Sequence, residues 1–191
     1  MSHLGFEHIE VIDPYVEKGW SPSVKLTLAS NREVDHFERE LGKFPDGYRD
    51  YVTTLGRGEY CNYIRIKMPA DIFEGYIKYQ EFLDKYWFWE RSEDSIPKEV
   101  AISSIYFAST IDGDAILYHP NARERIFVLP RNDDRGHMIG TDLYEAIDWL
   151  CVYHHDPKSG SVGEEHTERY FVPYNPLAYE HGLIIPQRFR R

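Results

Sequence analysis

The stretch of sequence that decides the fold spans residues 34 to 52 and reads Val34-Asp35-His36-Phe37-Glu38-Arg39-Glu40-Leu41-Gly42-Lys43-Phe44-Pro45-Asp46-Gly47-Tyr48-Arg49-Asp50-Tyr51-Val52. In the first half of this stretch, Val34, Phe37 and Leu41 recur at the spacing of an amphipathic helix. Ser30 or Asn31 can cap this helix, because their side chains accept hydrogen bonds from the first free amides. We therefore expect a helix that begins at about residue 31.

A second helix is predicted directly after a short link. Gly42 is placed to end the first helix in a left-handed conformation. Phe44 and Pro45 would open the second helix, where the missing N–H of proline does no harm. Gly56 would end it, and its expected buried stripe consists of Tyr48, Tyr51, Val52 and Leu55. Two short helices joined in this way form a helical hairpin.

Downstream of the hairpin, strand and helix periods alternate. Residues 60–68 alternate between apolar and polar side chains, which predicts a half-buried strand. A long aromatic helix follows, with Ile72, Phe73, Tyr76, Ile77, Gln80, Leu83 and Trp87 at helical spacing. Strands are then expected over residues 100–107, 115–118 and 125–129, joined by turns into an antiparallel meander. After a charged loop at 131–136, Asp142 and Glu145 predict the capped start of a last helix, whose stripe is Leu143, Ile147, Leu150 and Cys151.

Three regions are distinguished by these patterns. Residues 31–155 carry the clear periodicity and are expected to form one domain. Residues 1–30 are interpreted as an N-terminal extension with one strand at 24–28. Residues 156–191 are interpreted as a C-terminal extension that packs on the domain or on a partner.

Composition favours a folded, acidic protein. The chain has 191 residues, of which 42% are hydrophobic and 15% aromatic, enough for a sizeable core. Its 32 acidic and 22 basic residues give a net charge of −10, which disfavours direct binding to nucleic acid and attracts basic partners. Residues 31–155 alone hold 23 acidic and 15 basic side chains, a net charge of −8. Solubility alone would explain such a charge equally well.

Cys61 and Cys151 are the two cysteines of the chain. Two thiols cannot build a disulfide framework, so a reducing compartment is the expectation. Each lies in an apolar pattern, which favours a buried hydrophobic residue over a nucleophile assisted by His119 or His137. With neither a signal peptide nor a membrane-spanning stretch in the sequence, we expect a soluble cytoplasmic protein that does not bind membranes.

The order of these elements resembles the SUKH superfamily of cell-wall-assembly and killer-toxin-resistance regulators and bacterial immunity proteins. Phe44-Pro45 takes the place of the Leu-Pro of that family, and Leu55-Gly56-Arg57-Gly58 takes the place of its Asn-Gly-Gly turn. A second landmark is Ile105-Tyr106-Phe107-Ala108 followed by Gly113-Asp114 and a strand. The chain departs from the pattern in the missing Asn before Gly56 and in its two extensions.

The resemblance implies an α+β fold with a bent, mainly antiparallel sheet flanked by helices and an N-terminal helical hairpin. It also implies a protein-binding role without catalysis, either as an immunity protein that neutralises a toxin or as an intracellular regulatory scaffold. An enzyme is the third hypothesis, and a deep polar pocket would favour it.

Three motifs could carry chemistry, and a structural interpretation is favoured for each. His154-His155-Asp156 suggests a metal site, but adjacent histidines point in different directions at a helix end. Asp112-Gly113-Asp114 could bind a cation, but a turn with local hydrogen bonds fits it better. Gly56-Arg57-Gly58 lacks the Lys-Ser/Thr of a phosphate loop. No catalytic residue, cofactor or metal is therefore expected.

Acidic loops and aromatic side chains are the expected partner-binding residues. A basic protein, such as a nuclease toxin domain, would be bound by carboxylates that mimic phosphates, and the chain itself would be a monomer or a homodimer. The aromatic segment 79–89 is either buried against the sheet or exposed as an anchor for a partner. The predicted contact residues are Glu59, Glu93, Asp94, Asp112, Asp114, Asp133, Asp134, Trp87 and Trp89.

Overall fold

The computed structural model describes residues 5–19, 23–86, 96–121, 126–132, 136–152 and 169–176. Its strands are β1 (Glu10–Val11), β2 (Gly58–Tyr60), β3 (Ile64–Ile66), β4 (Ile105–Thr110), β5 (Ala115–Tyr118), β6 (Ile126–Leu129), β7 (His137–Gly140) and β8 (Tyr170–Pro173). Its α-helices are α1 (Pro14–Glu17), α2 (Asn31–Leu41), α3 (Tyr48–Thr54), α4 (Pro69–Tyr86), α5 (Lys98–Ile102) and α6 (Leu143–Val152). The fold is α+β, as predicted.

All eight strands belong to one sheet, in the order β1-β8-β2-β3-β4-β5-β6-β7. Only β1 and β8 pair in parallel among the described strands, and every other pair is antiparallel. The predicted meander is confirmed for β4, β5 and β6, and β7 continues it. The sheet is therefore mainly antiparallel.

The first helix of the hairpin matches the prediction closely. Ser30 caps α2, because its Oγ accepts a hydrogen bond from the amide of Glu33 at 3.2 Å. Gly42 ends the helix with a φ of +96°, in the region that glycine reaches without steric cost. Val34 on the inner face is fully buried.

The second helix begins later than the sequence predicts. Pro45 does not open α3, since it lies in a turn whose carbonyl accepts a hydrogen bond from the amide of Tyr48 at 3.1 Å. Gly47 makes that turn possible with a φ of +85°. A Cβ at Gly47 would come within 2.8 Å of the Tyr144 ring on α6, so the turn also lets the two helices approach closely.

The strand predicted over residues 60–68 is half right, because Ile64–Ile66 forms β3 with the expected alternation of burial, whereas residues 61–63 form a reverse turn that follows β2. Cys61 and Asn62 both have positive φ values, 51° and 52°. The amide of Tyr63 bonds to the carbonyl of Tyr60 at 3.0 Å and closes the turn. Central residues with positive φ match the twist of a tight hairpin, which the alternating pattern alone does not reveal.

The strand predicted over residues 100–107 is also half wrong. Its first residues form the short helix α5, and strand β4 begins at Ile105. The helix starts after Pro97, and the fully buried Ala101 faces the sheet. Strand β7, which begins at His137 after the expected loop, was not predicted from the sequence.

The predicted capping of α6 is confirmed. Asp142 accepts a hydrogen bond from the amide of Glu145 at 2.9 Å, and the Glu145 carboxylate reaches back to the Thr141 amide at 2.8 Å. Its predicted stripe is buried, with Leu143, Ile147, Leu150 and Cys151 all in the core.

The predicted strand at 24–28 is wrong. Its alternate residues Val24, Leu26 and Leu28 are all exposed. Its backbone bonds instead to the hairpin region, since the Thr27 carbonyl accepts from the Arg57 amide at 2.9 Å. The strands that residues 1–30 and 156–191 supply are β1 and β8, and Phe6 and Phe171 join the main core.

Hydrophobic cores lie on both faces of the sheet. Neighbouring residues of β5 show this, because Ile116 belongs to the core shared with α2, α3 and α6, whereas Leu117 belongs to a second core. In the second core, Leu83 of α4 and Ala101 of α5 cover the sheet. Helix α4 therefore has one side fixed to the sheet and one side facing outward.

Candidate partner-binding surface

The acidic residues predicted to bind a partner are placed very differently from one another. Glu59 on β2 is bonded by Arg65 of β3, whose Nε and Nη2 lie 2.8 and 2.6 Å from the same carboxylate oxygen. Asp114 accepts hydrogen bonds from the Thr110 hydroxyl at 2.8 Å and from the Arg131 amide at 2.9 Å. Asp112 is exposed. Asp114 therefore stabilises the β4–β5 turn, and Asp112, although exposed, forms a hydrogen bond with the Tyr63 side chain.

Six of the predicted contact residues lie outside the described residues. They are Glu93, Asp94, Asp133, Asp134, Trp87 and Trp89. The His154-His155-Asp156 motif lies outside them as well.

Two carboxylates, those of Asp112 and Asp114, lie at one end of the sheet. Tyr63 follows the β2–β3 turn, and its carbonyl accepts a hydrogen bond from the Ile111 amide at 2.9 Å, which joins this turn to the β4–β5 turn. Burial raises the pKa of Tyr63, and the charges of Asp114 and Asp112 raise it further. The guanidinium of Arg131 lies beside Gly113, between the two carboxylates, so this end of the sheet carries both charges.

Helix α4 presents an apolar surface that the sequence did not single out. Phe73 and Ile77, four residues apart and thus on one helical face, are 48% and 70% exposed. Phe37 of α2 extends the surface, because its ring centroid lies 5.4 Å from that of Phe73. We call Phe37, Phe73 and Ile77 the α4 patch.

Carboxylates border the α4 patch. Glu74 and Glu81 are exposed, and both lie within one turn of Ile77, at three and four residues' distance. Asp84 falls on the same side one turn further on and pairs with Lys98 at 2.6 Å. Exposed Lys78 and Lys85 lie on the same flank of α4, so the border carries both charges. An apolar centre with a charged border is the arrangement expected of a protein-binding surface.

The inner side of α4 is held firmly, which makes the patch a rigid platform. Tyr79 stacks on Tyr106 of β4 with ring centroids 4.0 Å apart. Gln80 Nε2 donates to the carbonyl of Ile102 at 2.9 Å. Leu83 is fully buried. These contacts fix the rotation of the helix and so fix which residues face outward.

The aromatic segment that the sequence left open divides between the two alternatives. Tyr79 packs in the second core, as the burial interpretation requires. Phe82 is 50% exposed, as the anchor interpretation requires. It lies on the opposite flank of α4 from Phe73, since nine residues advance a helix by two and a half turns.

Chemistry at other positions has less support. An open groove of about 510 Å³ along α2 is lined by Arg32, Asp35, Glu38, Arg39 and Lys43. Asp35 and Glu38 are engaged there by the guanidinium of Arg49, at 2.7 and 2.6 Å. Among the described residues, no group of three or more His, Cys, Asp or Glu side chains is placed to hold a metal ion.

Both cysteines are buried, as the sequence favoured. His119 contacts Ser103 at 3.1 Å, and His137 stacks on Trp149, so the contacts of these histidines do not support the Cys–His alternative. The fold nevertheless brings Cys61 and Cys151 next to each other. Their separation in sequence gave no signal of that proximity.

No protein-family model, curated protein or solved structure matches this chain. Within the described parts of the chain, none of the helices has the combination of length and apolar character needed to cross a bilayer.

Proposed function

We propose that this chain is a non-enzymatic protein-binding module whose α4 patch contacts a basic protein. The observation that carries the proposal is the exposure of Phe73 and Ile77 on a helix whose other side is anchored in the core. Large apolar side chains that stay exposed on a rigid element are typical of binding surfaces.

Charge supports a basic partner. Residues 31–155 have 23 acidic and 15 basic side chains, a net charge of −8. A net negative field accelerates the association of a positively charged partner, and the apolar centre supplies most of the binding free energy.

The resemblance to the SUKH superfamily supports a more specific proposal. The partner would be a toxin domain, such as a nuclease, that the chain neutralises in the cytoplasm. The described helical hairpin, glycine turn, antiparallel meander and last helix follow one another in the order of that resemblance. A regulatory scaffold related to cell-wall assembly is the second candidate, since it rests on the same features.

The test compares two substitutions of exposed apolar residues in the full-length chain. Proteins captured from a lysate of the source organism are identified by mass spectrometry, and the affinity of the captured partner is measured by calorimetry. We expect Ile77→Gln to weaken binding about tenfold or more, because it removes an apolar anchor from the centre of the patch. Met138→Gln, a change at a 59% exposed residue of β7, is the matched control and should bind like the wild type.

Neutralisation separates the two candidate functions. If the partner is a toxin, cells that express it survive with the wild-type chain and die with Ile77→Gln. Binding without toxicity of the partner favours the scaffold. Equal affinity of wild type and Ile77→Gln, with both variants folded, would refute the α4 patch as the contact surface.

A further inference from the structure

The structure places two thiols side by side inside the core. Cys61 lies in the turn between β2 and β3, and Cys151 lies in the last turn of α6. Both are buried, and their side chains are within hydrogen-bonding reach of each other. Two cysteines roughly 90 residues apart in sequence meet in this way only because the sheet and α6 pack together.

The backbone at Cys61 is held in an uncommon conformation. Its φ of +51° lies in the left-handed region, which residues with a Cβ rarely adopt. The Cys61 amide donates to the carbonyl of Tyr170 on β8 at 2.9 Å, which fixes the turn against its neighbour. The tight β2–β3 turn requires this conformation, so the turn and the bond to Tyr170 together fix the position of the Cys61 side chain.

Arg169 connects the thiol pair with the surface. Its guanidinium bonds to the Cys61 thiol and also pairs with Asp148 of α6 at 3.1 Å. The Arg169 side chain is 28% exposed and that of Asp148 is 56% exposed. Arg169 is thus the partly exposed group that lies next to the buried Cys61 thiol.

The surroundings of Cys61 favour its thiolate. The hydrogen bond from Cys151 lowers the pKa of Cys61 to about 7, helped by the Tyr170 backbone and by Arg169 and opposed by burial. The pKa of Cys151 is raised, because it is the proton donor in the pair and is buried. The pair thus combines a thiol whose pKa is lowered with a neighbouring thiol that donates to it.

We propose that Cys61 and Cys151 form a reversible disulfide when the protein meets a hydroperoxide. The Cys61 sulfur attacks a peroxide oxygen, the O–O bond breaks, and an alcohol or water leaves, so that Cys61 becomes a sulfenic acid. The Cys151 sulfur then attacks the Cys61 sulfur, the S–O bond breaks, and water leaves as the disulfide forms. The two thiols are oxidised by two electrons, and the hydroperoxide is reduced by two.

The disulfide would attach the β2–β3 turn to α6. A cross-link that closes a loop of roughly 90 residues removes much of the conformational freedom of the unfolded chain. We therefore expect the oxidised protein to melt about 10 °C higher than the reduced protein.

The experiment treats the native full-length protein with hydrogen peroxide and follows its intact mass, its free thiols and its Tm. We expect a monomer that is about 2 Da lighter, holds no free thiol, melts higher and returns to the reduced state with a dithiol reductant. Peptide mapping should find Cys61 joined to Cys151. Two remaining thiols, only intermolecular dimers, or only sulfinic and sulfonic acids would overturn the proposal.

Two variants test the roles of the partners. In Cys151→Ser the reaction should stop at the sulfenic acid of Cys61, which dimedone traps. Arg169→Gln keeps both thiols and should form the same disulfide several-fold more slowly at neutral pH, because a positive charge near the thiolate is lost. An unchanged rate in Arg169→Gln would contradict the role given to Arg169. Neither result depends on partner binding, so failure here is distinguishable from failure of the proposed function.

Discussion

At the scale of single residues, two buried tyrosines of α3 differ in what their hydroxyl groups contact. The Tyr48 hydroxyl donates to the carbonyl of Lys67 at 2.8 Å. The Tyr51 hydroxyl is buried as well, but it has no hydrogen-bond partner among the described residues. Burial of a polar group is costly unless a hydrogen bond compensates for it. The hydroxyl group of Tyr48 therefore stabilises the fold, whereas that of Tyr51 destabilises it.

Substituting each tyrosine by phenylalanine tests this difference. We expect Tyr48→Phe to lower the free energy of unfolding by about 1–2 kcal/mol, because the Lys67 carbonyl loses its donor. Tyr51→Phe should leave stability unchanged or raise it by up to about 1 kcal/mol, because it removes an unpaired polar atom. Urea unfolding followed by tryptophan fluorescence measures both. Equal losses in the two variants would contradict the assignment.

The sequence predicted burial of these tyrosines but not the fate of their hydroxyl groups. The spacing of Tyr48, Tyr51 and Val52 identifies the inner face of a helix, and all three are fully buried. Which carbonyl meets which hydroxyl depends on the distant Lys67, and periodicity carries no information about that. The same limit concealed the contact between Cys61 and Cys151.

At the scale of elements, the sequence predicted best those features that depend on near neighbours. The caps at Ser30 and Asp142 formed as expected, because a side chain two or three residues away supplies the hydrogen bond. The strand expected at residue 100 is a helical turn, because a short apolar run fits either element until a tertiary contact decides. The exposure of Ile77 was not predicted for a similar reason. Ile72 and Tyr76 also lie at helical spacing, and the spacing alone does not show which of these apolar residues face the core.

Two glycines provide an element-scale test. Gly75 lies inside α4 with nothing within 4 Å of a Cβ, so Gly75→Ala should raise the free energy of unfolding by about 0.5–1 kcal/mol through helix propensity. At Gly58 on β2, a Cβ would lie 2.3 Å from both the Phe171 ring and the Val172 carbonyl of β8. We expect Gly58→Ala to cost about 3 kcal/mol or more, because backbone would have to move. Denaturant midpoints of both variants check this, and a stable Gly58→Ala would show that β2 and β8 are less closely packed.

At the scale of the whole molecule, buried phenols link stability to pH. Burial raises the pKa of Tyr48 and Tyr51 well above 10, and it raises the pKa of Tyr60, Tyr63 and Tyr79 as well. In the unfolded chain these phenols ionise near pH 10. Because the folded pKa values are the higher ones, the stabilisation is complete below about pH 10 and is lost as the pH rises further.

Alkaline titration should therefore unfold the protein cooperatively. Above about pH 10 each buried tyrosine lowers the free energy of unfolding by about 1.4 kcal/mol per pH unit. We expect tyrosinate absorbance and the loss of far-ultraviolet circular dichroism to change together, roughly one pH unit above the ordinary tyrosine pKa. Tyr51→Phe removes one titrating group, so its transition should be less steep. A gradual absorbance change near pH 10 with intact circular dichroism would contradict this.

Contacts with a basic protein remain a prediction from net charge and tyrosine content. Of the acidic residues named for such contacts, Asp112 is exposed. Glu59 and Asp114 are instead occupied by Arg65 and Thr110. Composition shows how many carboxylates a chain has, but the fold determines which of them are hydrogen-bonded or ion-paired within the chain.

The position of β8 between β1 and β2 affects how the chain folds during its synthesis. Strand β2 leaves the ribosome roughly 110 residues before its partner β8 does, and contacts so distant in sequence form late. During that interval the edge of β2 has open amides and carbonyls, which invite pairing with another nascent chain. The strand order therefore leaves the β2 edge open to aggregation until β8 has been synthesised.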